Sequence, residues 1–350
     1  MEYLPGLTVE KFERLFAERF PEMASALWLR RPGGEAILDL GRTTTNEFGS
    51  DDSGGRGDSF RRAHERSSVK ATGMSNLLEL ATGLTGVDRL PAGFRLLDVL
   101  GGSGTLVRVT RELPQWRTDR DWILTGDVAP EMAAQAFDYG LPAVRQPAQF
   151  LLCHDDAFDA VLVAYGAHHI PVEERNGCYA EAQRVLRPGG RLVVHDFETG
   201  TPMAHWFEQI VDAYSPTGHQ YTHFTATDFE KDLTAAGFTD VRTVRVYDPI
   251  TITADDAASA RNRMLWYVRN AYGLTPPDGP TTDEEVLNWV EHLVTTCLRY
   301  TKDDFASLEA VPEQVRSAGT LTVYETDEGF RAELPRIAYV AVAVNADPAA

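Results

Sequence analysis

The chain has 350 residues, of which 43% are hydrophobic and 24% are charged. This is a globular composition, and it excludes wholesale disorder and fibrous structure. The 52 acidic and 33 basic residues give a formal net charge of −19, which repels phosphate backbones and anionic lipid headgroups. We therefore expect neither nucleic acid nor a membrane as a partner. Three scattered cysteines exclude a disulfide framework, and no secretory leader follows Met1, so the sequence predicts a cytoplasmic protein.

Residues 1–90 are predicted to form an extension before the main domain. Thr8 is positioned to cap the first helix. Ala26–Arg30 and Ala36–Leu40 flank a Pro-Gly-Gly turn, which is typical of a β-hairpin. Arg42–Lys70 is almost without apolar residues, so we interpret it as a mobile linker, or as a loop that only a ligand orders. A helix near Met74–Leu84 leads into the next domain.

Residues 91–250 alternate between apolar strands and helices. The strands are predicted at Arg95–Leu100, Trp122–Thr125, Phe158–Tyr165, Arg191–His195 and Val241–Tyr247. The helices between them are predicted at Glu173–Leu186, Ala204–Tyr214 and Phe229–Ala236. Such alternation, with nearly continuous apolar strands, indicates a parallel sheet covered by helices on both faces.

Residues 251–318 are predicted to form a helical insertion. Thr282 and Glu285 make a capping box before an apolar stripe at helical spacing. Such a stripe is typical of core or of a subunit contact, so we expect a lid or the contact of a homodimer. The aromatic residues of this region could instead line a pocket for an aromatic or polyketide-like acceptor; they are Trp266, Tyr267, Tyr272 and Trp289.

Residues 319–350 are predicted to supply terminal strands that complete the sheet. Thr320–Glu325 and Phe330–Leu334 resemble a hairpin, and Ile337–Val344 is a long apolar strand, antiparallel to the others. The predicted fold class is α/β, with a doubly wound (Rossmann-like), mostly parallel seven-stranded sheet. An N-terminal helical and hairpin extension and a helical insertion before the last strand complete it.

The most specific local feature is a glycine-rich turn after the first strand of the main domain. It has the sequence Asp98-Val99-Leu100-Gly101-Gly102-Ser103-Gly104. Glycines permit a tight turn and let a ligand touch the backbone. Asp98 would repel a pyrophosphate but can hold an ammonium group, directly or through water. The spacing is not G-x-G-x-x-G, which disfavours a nicotinamide oxidoreductase.

This turn resembles that of the class I S-adenosylmethionine-dependent methyltransferases, whose loop has the pattern D-x-G-x-G-x-G. Leu100 replaces the first glycine of that pattern. Further along, Arg184–Leu192 is very similar to the family's R-V-L-K-P-G-G-x-L segment, which joins a helix to a strand. The resemblance implies S-adenosylmethionine as the cofactor.

The resemblance also implies a role for each residue of the cofactor site. Asp127, after the second strand, would accept hydrogen bonds from both ribose hydroxyls, and Asp98 would hold the amino-acid end. Met132 would pack near the adenine. The acid that usually accepts from the adenine amino group is missing, which leaves Gln149 or a backbone carbonyl. The implied cofactor-binding residues are Asp98, Gly101, Gly102, Gly104, Asp127, Val128, Met132, Ala148, Gln149 and Ala164.

The chemistry is predicted in the loops that follow the fourth and fifth strands, because ligands bind beyond the carboxyl ends of such strands. The catalytic candidates there are Tyr165, His168, His169 and His195. A histidine, with a pKa near 6.5, can be a general base at neutral pH. In the family one of the two adjacent histidines often only packs beneath the loop, and His195 could be a core residue.

A metal site is a weaker alternative. His219 and His223 are four residues apart, a spacing that on a helix can chelate a metal together with His168 or His169. The context that follows Pro216 favours a loop, so no metal is predicted.

The sequence thus predicts a methyltransferase that acts on a small molecule in specialised (natural-product) metabolism, by in-line methyl transfer with a histidine as general base. Two alternatives stay open. One is a cyclase, an isomerase or a non-catalytic partner that retains the fold, which Leu100 and Pro147 favour. The other is metal-assisted C-methylation of an α-keto acid.

Overall fold

The computed structural model describes residues 2–34, 36, 51–64, 67–277, 279–280, 282–308 and 310–346. Its strands are β1 (Glu2–Leu4), β2 (Leu7–Thr8), β3 (Leu96–Asp98), β4 (Ile123–Asp127), β5 (Ala143–Arg145), β6 (Phe158–Val163), β7 (Leu186–Asp196), β8 (Phe238–Tyr247), β9 (Ile250–Ala254), β10 (Thr322–Thr326), β11 (Gly329–Leu334) and β12 (Ile337–Asn345).

Its α-helices include α1 (Val9–Arg19), α2 (Pro21–Ala24), α3 (Gly57–Ala63), α4 (Ala71–Thr82), α5 (Thr105–Glu112), α6 (Pro130–Asp138), α7 (Val172–Val185), α8 (Pro202–His205), α9 (Asp212–Tyr214), α10 (Asp228–Ala235), α11 (Ala257–Tyr272), α12 (Asp283–Cys297) and α13 (Glu313–Ala318). A π-helical turn, Trp206–Val211, joins α8 to α9. None of the helices in the described ranges is both long enough and apolar enough to cross a bilayer.

The main sheet has seven strands in the order β5-β4-β3-β6-β7-β12-β8. The pairs from β5 to β7 are parallel, whereas β12 runs antiparallel to both of its neighbours. Leu97, Leu124, Val161 and Val193 at its centre have no exposed surface, as expected for strands covered on both faces. The predicted doubly wound, mostly parallel sheet is confirmed.

A second, three-stranded antiparallel sheet has the order β10-β11-β9. The hairpin of β10 and β11 was predicted, but β9 was not. Because Leu334 pairs with Ile250, this hairpin belongs to the second sheet, so the expectation that all the terminal strands complete the main sheet is wrong. Only β12 does so.

The predicted N-terminal hairpin is also wrong. Ala26–Arg30 forms turns with a single bridge from Leu27 to Cys153. The Trp28 amide donates to the Leu152 carbonyl at 2.8 Å, so this segment pairs with the loop before β6 and not with its own neighbour. Ala36 is helical, and residues 37–40 lie outside the described residues. The helix cap was predicted correctly: Thr8 accepts a hydrogen bond from the Lys11 amide at the start of α1.

The stretch predicted to be a linker is mostly helical where it is described. It holds two 3-10 turns, Asp51–Ser53 and Ser67–Lys70, on either side of α3. Arg56 donates from Nη1 to the Ala271 carbonyl of α11 at 2.8 Å. This buried hydrogen bond helps to fix the segment, and no pattern of apolar residues in the sequence predicts it. The linker interpretation is therefore wrong for residues 51–64 and 67–70, and residues 42–50 and 65–66 lie outside the described residues.

Three helices, α11, α12 and α13, occupy the chain between β9 and β10. The predicted capping box of α12 is confirmed, because Thr282 accepts from the Glu285 amide while Glu285 accepts from the Thr282 amide. The dimer contact predicted for this region stays a prediction.

Candidate functional site

A cavity opens at the carboxyl ends of β3, β4 and β6, where a doubly wound sheet binds its ligands. Its lining combines the glycine loop, the ends of these strands, and residues from α3 and α11. Of the predicted site residues, the lining includes Asp98, Gly101, Gly102, Asp127, Val128, Met132, Ala164, Tyr165, His168 and His169.

The glycine loop is packed tightly against β4. The Gly101 amide donates to the Gly126 carbonyl at 2.8 Å. A Cβ atom added to Gly101 would lie 2.6 Å from Thr125 Cγ2 and 2.8 Å from Asp98 Oδ2, so a larger residue does not fit without a shift. Gly102 and Gly104 have φ angles of +56° and +79°, a conformation that favours glycine. Gly104 supports the loop from beneath, against Leu141.

Asp127 ties the loop to the start of α6. Its Oδ2 accepts from the Gly102 amide at 2.9 Å, and its Oδ1 accepts from the Ala129 amide at 2.8 Å. Burial raises the pKa of Asp127 to about 6, although the two amides oppose this shift. Both oxygens retain acceptor capacity toward the cavity, because a carboxylate has about four lone-pair positions.

Asp98 is the buried carboxyl group beside the loop. Its residue is 4% exposed, and none of the described residues donates a hydrogen bond to it. Burial, with a smaller contribution from Asp127, raises the pKa of Asp98 to about 8. An unpaired buried carboxylate is costly, so this position suits a ligand that brings a cation.

The donor set fits S-adenosylmethionine. The ammonium group of the cofactor would pair with the Asp98 carboxylate. The two ribose hydroxyls would donate hydrogen bonds to the Asp127 carboxylate. Val128 and Met132 offer apolar contacts beside these two acids. The fit of S-adenosylmethionine to this cavity depends on two features: the Asp98 carboxylate, which lacks a hydrogen-bond donor among the described residues, and the loop at Gly101, which has no room for a Cβ atom.

Three predicted cofactor-binding residues, Gly104, Ala148 and Gln149, are absent from the cavity lining. Gln149 donates from Nε2 to Glu174 Oε2 at 2.8 Å and so turns toward α7. The side chain that was expected to meet the adenine is therefore already occupied elsewhere.

His168 is held by Asp196 at the end of β7. Its Nδ1 lies 2.9 Å from both carboxylate oxygens, and its amide donates to Oδ2 at 2.7 Å. Burial lowers the pKa of His168 to about 4, even though Asp196 opposes the shift. Since Nδ1 faces the carboxylate, we assign the proton to Nδ1. Nε2, which has no hydrogen-bond partner among the described residues, then keeps its lone pair.

Tyr165 lines the cavity and has a φ angle of +58°. His195 does not line it and has no exposed surface. The Tyr165 amide donates to His195 Nδ1 at 3.3 Å. The prediction of His195 as a catalytic residue is therefore corrected: it is a core residue that supports the backbone of Tyr165.

The predicted pair of the alternative metal site, His219 and His223, is divided between two groups of possible metal ligands. Residues 219–223 form a loop, as their context indicated. His168, His169 and His219 each offer a ligand atom within 4.8 Å of the other two. A second group of the same size consists of His168, Asp196 and His223.

Several lining residues were missed by sequence reasoning. They are Arg56, Phe60, His64, Lys70, Ala271 and Arg336. Four of them come from the stretch that was interpreted as a linker, because its polar composition gave no pattern from which a helix or a site could be predicted. The aromatic residues of the helical insertion were the one available signal. Tyr267 and Tyr272 line the cavity, whereas Trp266 and Trp289 do not.

Comparison with known proteins matches residues 97–194 to a family described as "Methyltransferase domain". The chain is 30% identical over 131 residues to the ubiquinone/menaquinone biosynthesis C-methyltransferase UbiE of Teredinibacter turnerae, covering 35% of this chain and 50% of that protein. It is 32% identical over 114 residues to the demethylmenaquinone methyltransferase of Mycobacterium tuberculosis, covering 32% and 45%. The chain thus spans about half the length of the curated relatives it matches.

Among solved structures, the chain is similar to the YcgJ protein of Bacillus subtilis. The TM-score is 0.46 and the identity 17%, over 79% of this chain and 99% of that one. It is also similar to phosphoethanolamine N-methyltransferase 2 of Haemonchus contortus, solved with S-adenosylhomocysteine. There the TM-score is 0.41 and the identity 14%, over 82% and 61% of the two chains.

Proposed function

We propose that this chain, a class I S-adenosylmethionine-dependent methyltransferase by its domain, transfers a methyl group to a small molecule bound in the cavity. The observation that carries the proposal is the pair of carboxylates at the glycine loop. Asp98 has no hydrogen-bond partner among the described residues, and Asp127 is fixed by two amides at 2.8 and 2.9 Å. Both line the same cavity as Tyr165 and His168.

Asp98 would hold the ammonium group of the cofactor, and Asp127 would hold its ribose. When bound, S-adenosylmethionine supplies an electrophilic methyl group on a sulfonium. The chain's own task is then to align an acceptor with that methyl group and to exclude water. Phe197, Phe207, Tyr267 and Tyr272 provide largely buried apolar walls for this purpose.

His168 is our candidate for the group that takes a proton from the acceptor. Asp196 fixes its ring through Nδ1, which leaves the Nε2 lone pair available for a proton. His169 and Tyr165 line the same part of the cavity and would orient the acceptor. The aromatic walls support an aromatic acceptor of the kind made in specialised metabolism. Because residues of α11 line the cavity, they support the proposal that the insertion of residues 251–318 covers the site.

The test is a calorimetric titration of S-adenosylhomocysteine into the wild-type chain and the Asp127→Ala variant. Loss of hydrogen bonds to a charged group costs about 1.5–3 kcal/mol, which weakens binding roughly 10- to 100-fold. Asp138→Ala, at an exposed position at the end of α6, the helix that follows β4, is the matched control and should bind normally. Equal affinity of the Asp127→Ala variant and the wild type would remove the assignment.

A separate assay distinguishes methyl transfer from the alternative of a cyclase or isomerase. Each acceptor that is consumed should yield one S-adenosylhomocysteine. An acceptor converted without any S-adenosylhomocysteine would favour the alternative, in which the fold is retained and the transfer is lost.

Metal-assisted C-methylation is a second candidate, favoured by the convergence of His168, His169 and His219. Imidazoles are common ligands of first-row transition metals. Titration with Co²⁺ tests it, because three nitrogen ligands give visible d–d absorption. A His219→Gln variant should lose that absorption, and an exposed substitution, His292→Gln, should not. A colourless titration at stoichiometric Co²⁺ would rule the candidate out.

A further inference from the structure

One basic side chain, Lys70, faces the cavity with no hydrogen-bond or ion-pair partner among the described residues. Lys70 ends the 3-10 turn Ser67–Lys70, directly before α4, and it is 9% exposed. It lines the cavity, with Nζ 4.7 Å from the centre of the Tyr165 ring. Within the described part of the chain, its ammonium group makes no hydrogen bond or ion pair.

The positive charge of Lys70 is compensated only in part, by the face of the Tyr165 ring and by Asp248. Arg336 and Arg56 lie close enough to act on it and, after burial itself, lower the pKa of Lys70 to about 7, against an opposing effect of Asp248. Asp248 is already engaged by Arg336 at 2.7 Å and by the Tyr165 hydroxyl at 2.8 Å. Because an unpaired buried ammonium group is unfavourable, this arrangement calls for an anion from outside the chain.

The acidic and the basic residues of the cavity lining thus form two separate groups. Asp98 and Asp127 are its acidic group at the glycine loop, whereas Arg56, Lys70 and Arg336 form its basic group. Two members of the basic group are occupied, since Arg56 donates to the Ala271 carbonyl and Arg336 is paired with Asp248. The ammonium of Lys70 is left for a ligand.

We propose that Lys70 is the binding site for a carboxylate of the methyl acceptor, and that the acceptor is an aromatic monocarboxylic acid. The inference rests on the proposed function, because it names the class of acceptor for the same cavity. One available ammonium matches one carboxylate. The aromatic residues Phe60, Tyr267 and Tyr272, which line the same cavity, match an aromatic body. The net charge of −19 disfavours a polyanion such as a diphosphate.

The experiment compares acids with their uncharged amides. Benzoate, 4-hydroxybenzoate and cinnamate are titrated beside benzamide, 4-hydroxybenzamide and cinnamamide, into the chain saturated with S-adenosylhomocysteine. We expect at least one acid to bind about tenfold or more tightly than its own amide, as a charge-assisted hydrogen bond requires. Lys70→Met should abolish the preference by weakening the acid alone, and Lys70→Arg should keep part of it.

The controls separate this inference from a folding defect and from the proposed function. Lys231→Met, at an exposed position of α10, should keep the preference. The ligand-free Lys70→Met variant should unfold at the same temperature as the wild type or a higher one, because it loses an unpaired buried charge. If no acid is preferred over its amide, or if Lys70→Met keeps the preference, the inference is overturned. Failure of S-adenosylhomocysteine to bind at all would instead overturn the proposed function.

Discussion

The hydroxyl of Tyr165 donates a hydrogen bond to Asp248 Oδ1 at 2.8 Å and so links a cavity residue to a carboxylate with no exposed surface. Arg336 donates from Nη2 to the other oxygen, Oδ2, at 2.7 Å. Tyr165 needs such support, because few residues other than glycine adopt a φ angle of +58°. The acceptor side of the cavity is therefore built on a buried ion pair and not on the sheet alone.

Arg336→Met should be strongly destabilising, because it leaves the Asp248 charge buried without its partner. We expect the free energy of unfolding to fall by about 3–5 kcal/mol, as measured by urea denaturation. Arg245→Met is the matched control. Arg245 pairs with Glu198 at 3.0 Å but is 53% exposed, so its loss should cost less than about 1 kcal/mol. Equal effects of the two substitutions would contradict a structural role for the buried pair.

Gly73→Ala tests the same region from α4. Alanine favours a helix over glycine by about 1 kcal/mol, so helix propensity alone predicts stabilisation. A Cβ at Gly73, however, would lie 1.7 Å from Asp248 Oδ1 and 2.8 Å from the Tyr165 hydroxyl. We expect this steric clash to outweigh the gain in helix propensity, so the Gly73→Ala variant should have a lower melting temperature than the wild type. Gly177→Ala in α7, whose nearest contact would be 3.3 Å, is the control and should be tolerated far better.

The cofactor half of the site could be predicted from the sequence, because its determinants are local. Asp98 and Gly101 are three residues apart in one turn, and Asp127 follows the next strand. Parallel strand order then brings them together at one edge of the sheet. The error at Gln149 has an equally local cause, since a competing partner on α7, Glu174, was not visible in the spacing.

The acceptor half could not be predicted, because its residues meet only through long-range contacts. Arg56 and Lys70 lie in a polar stretch without periodicity, and both line the cavity. Arg56 is held there by its hydrogen bond to the Ala271 carbonyl of α11. Arg336 lies in the connection between β11 and β12, and its partner Asp248 lies between β8 and β9. No short-range pattern links these positions.

Asp98 should make cofactor affinity depend on pH. Its pKa is raised to about 8 in the ligand-free chain, so below that pH it must lose a proton before it can pair with an ammonium group. We expect S-adenosylhomocysteine to bind more tightly as the pH rises from about 6 to about 8. Titrations in buffers of different ionisation enthalpy should detect the released proton. Asp98→Asn should flatten the dependence, and a slope that survives this substitution would refute the role of Asp98.

The raised pKa of Asp98 affects the stability of the ligand-free chain in the opposite direction: stability falls as the pH rises. The folded pKa of Asp98 lies above the value of about 3.9 expected for an unfolded aspartate. Protonation therefore favours the ligand-free fold, and this contribution is lost as the pH rises from about 4 to about 8. Asp98→Asn should accordingly raise the melting temperature of the ligand-free chain more at pH 8 than at pH 5.

His168 should be a neutral imidazole at physiological pH, with its proton on Nδ1. Burial lowers its pKa to about 4, so its charged form appears only in acid, and the stability that the neutral ring provides is lost as the pH falls from about 6.5 toward 4. Long-range ¹H–¹⁵N NMR at pH 7 checks this, with His168→Gln identifying the signal. A pyrrole-type Nδ1 and a pyridine-type Nε2 are expected, since Asp196 holds Nδ1 at 2.9 Å. A doubly protonated ring at pH 7 could not accept a proton and would exclude His168 as the base.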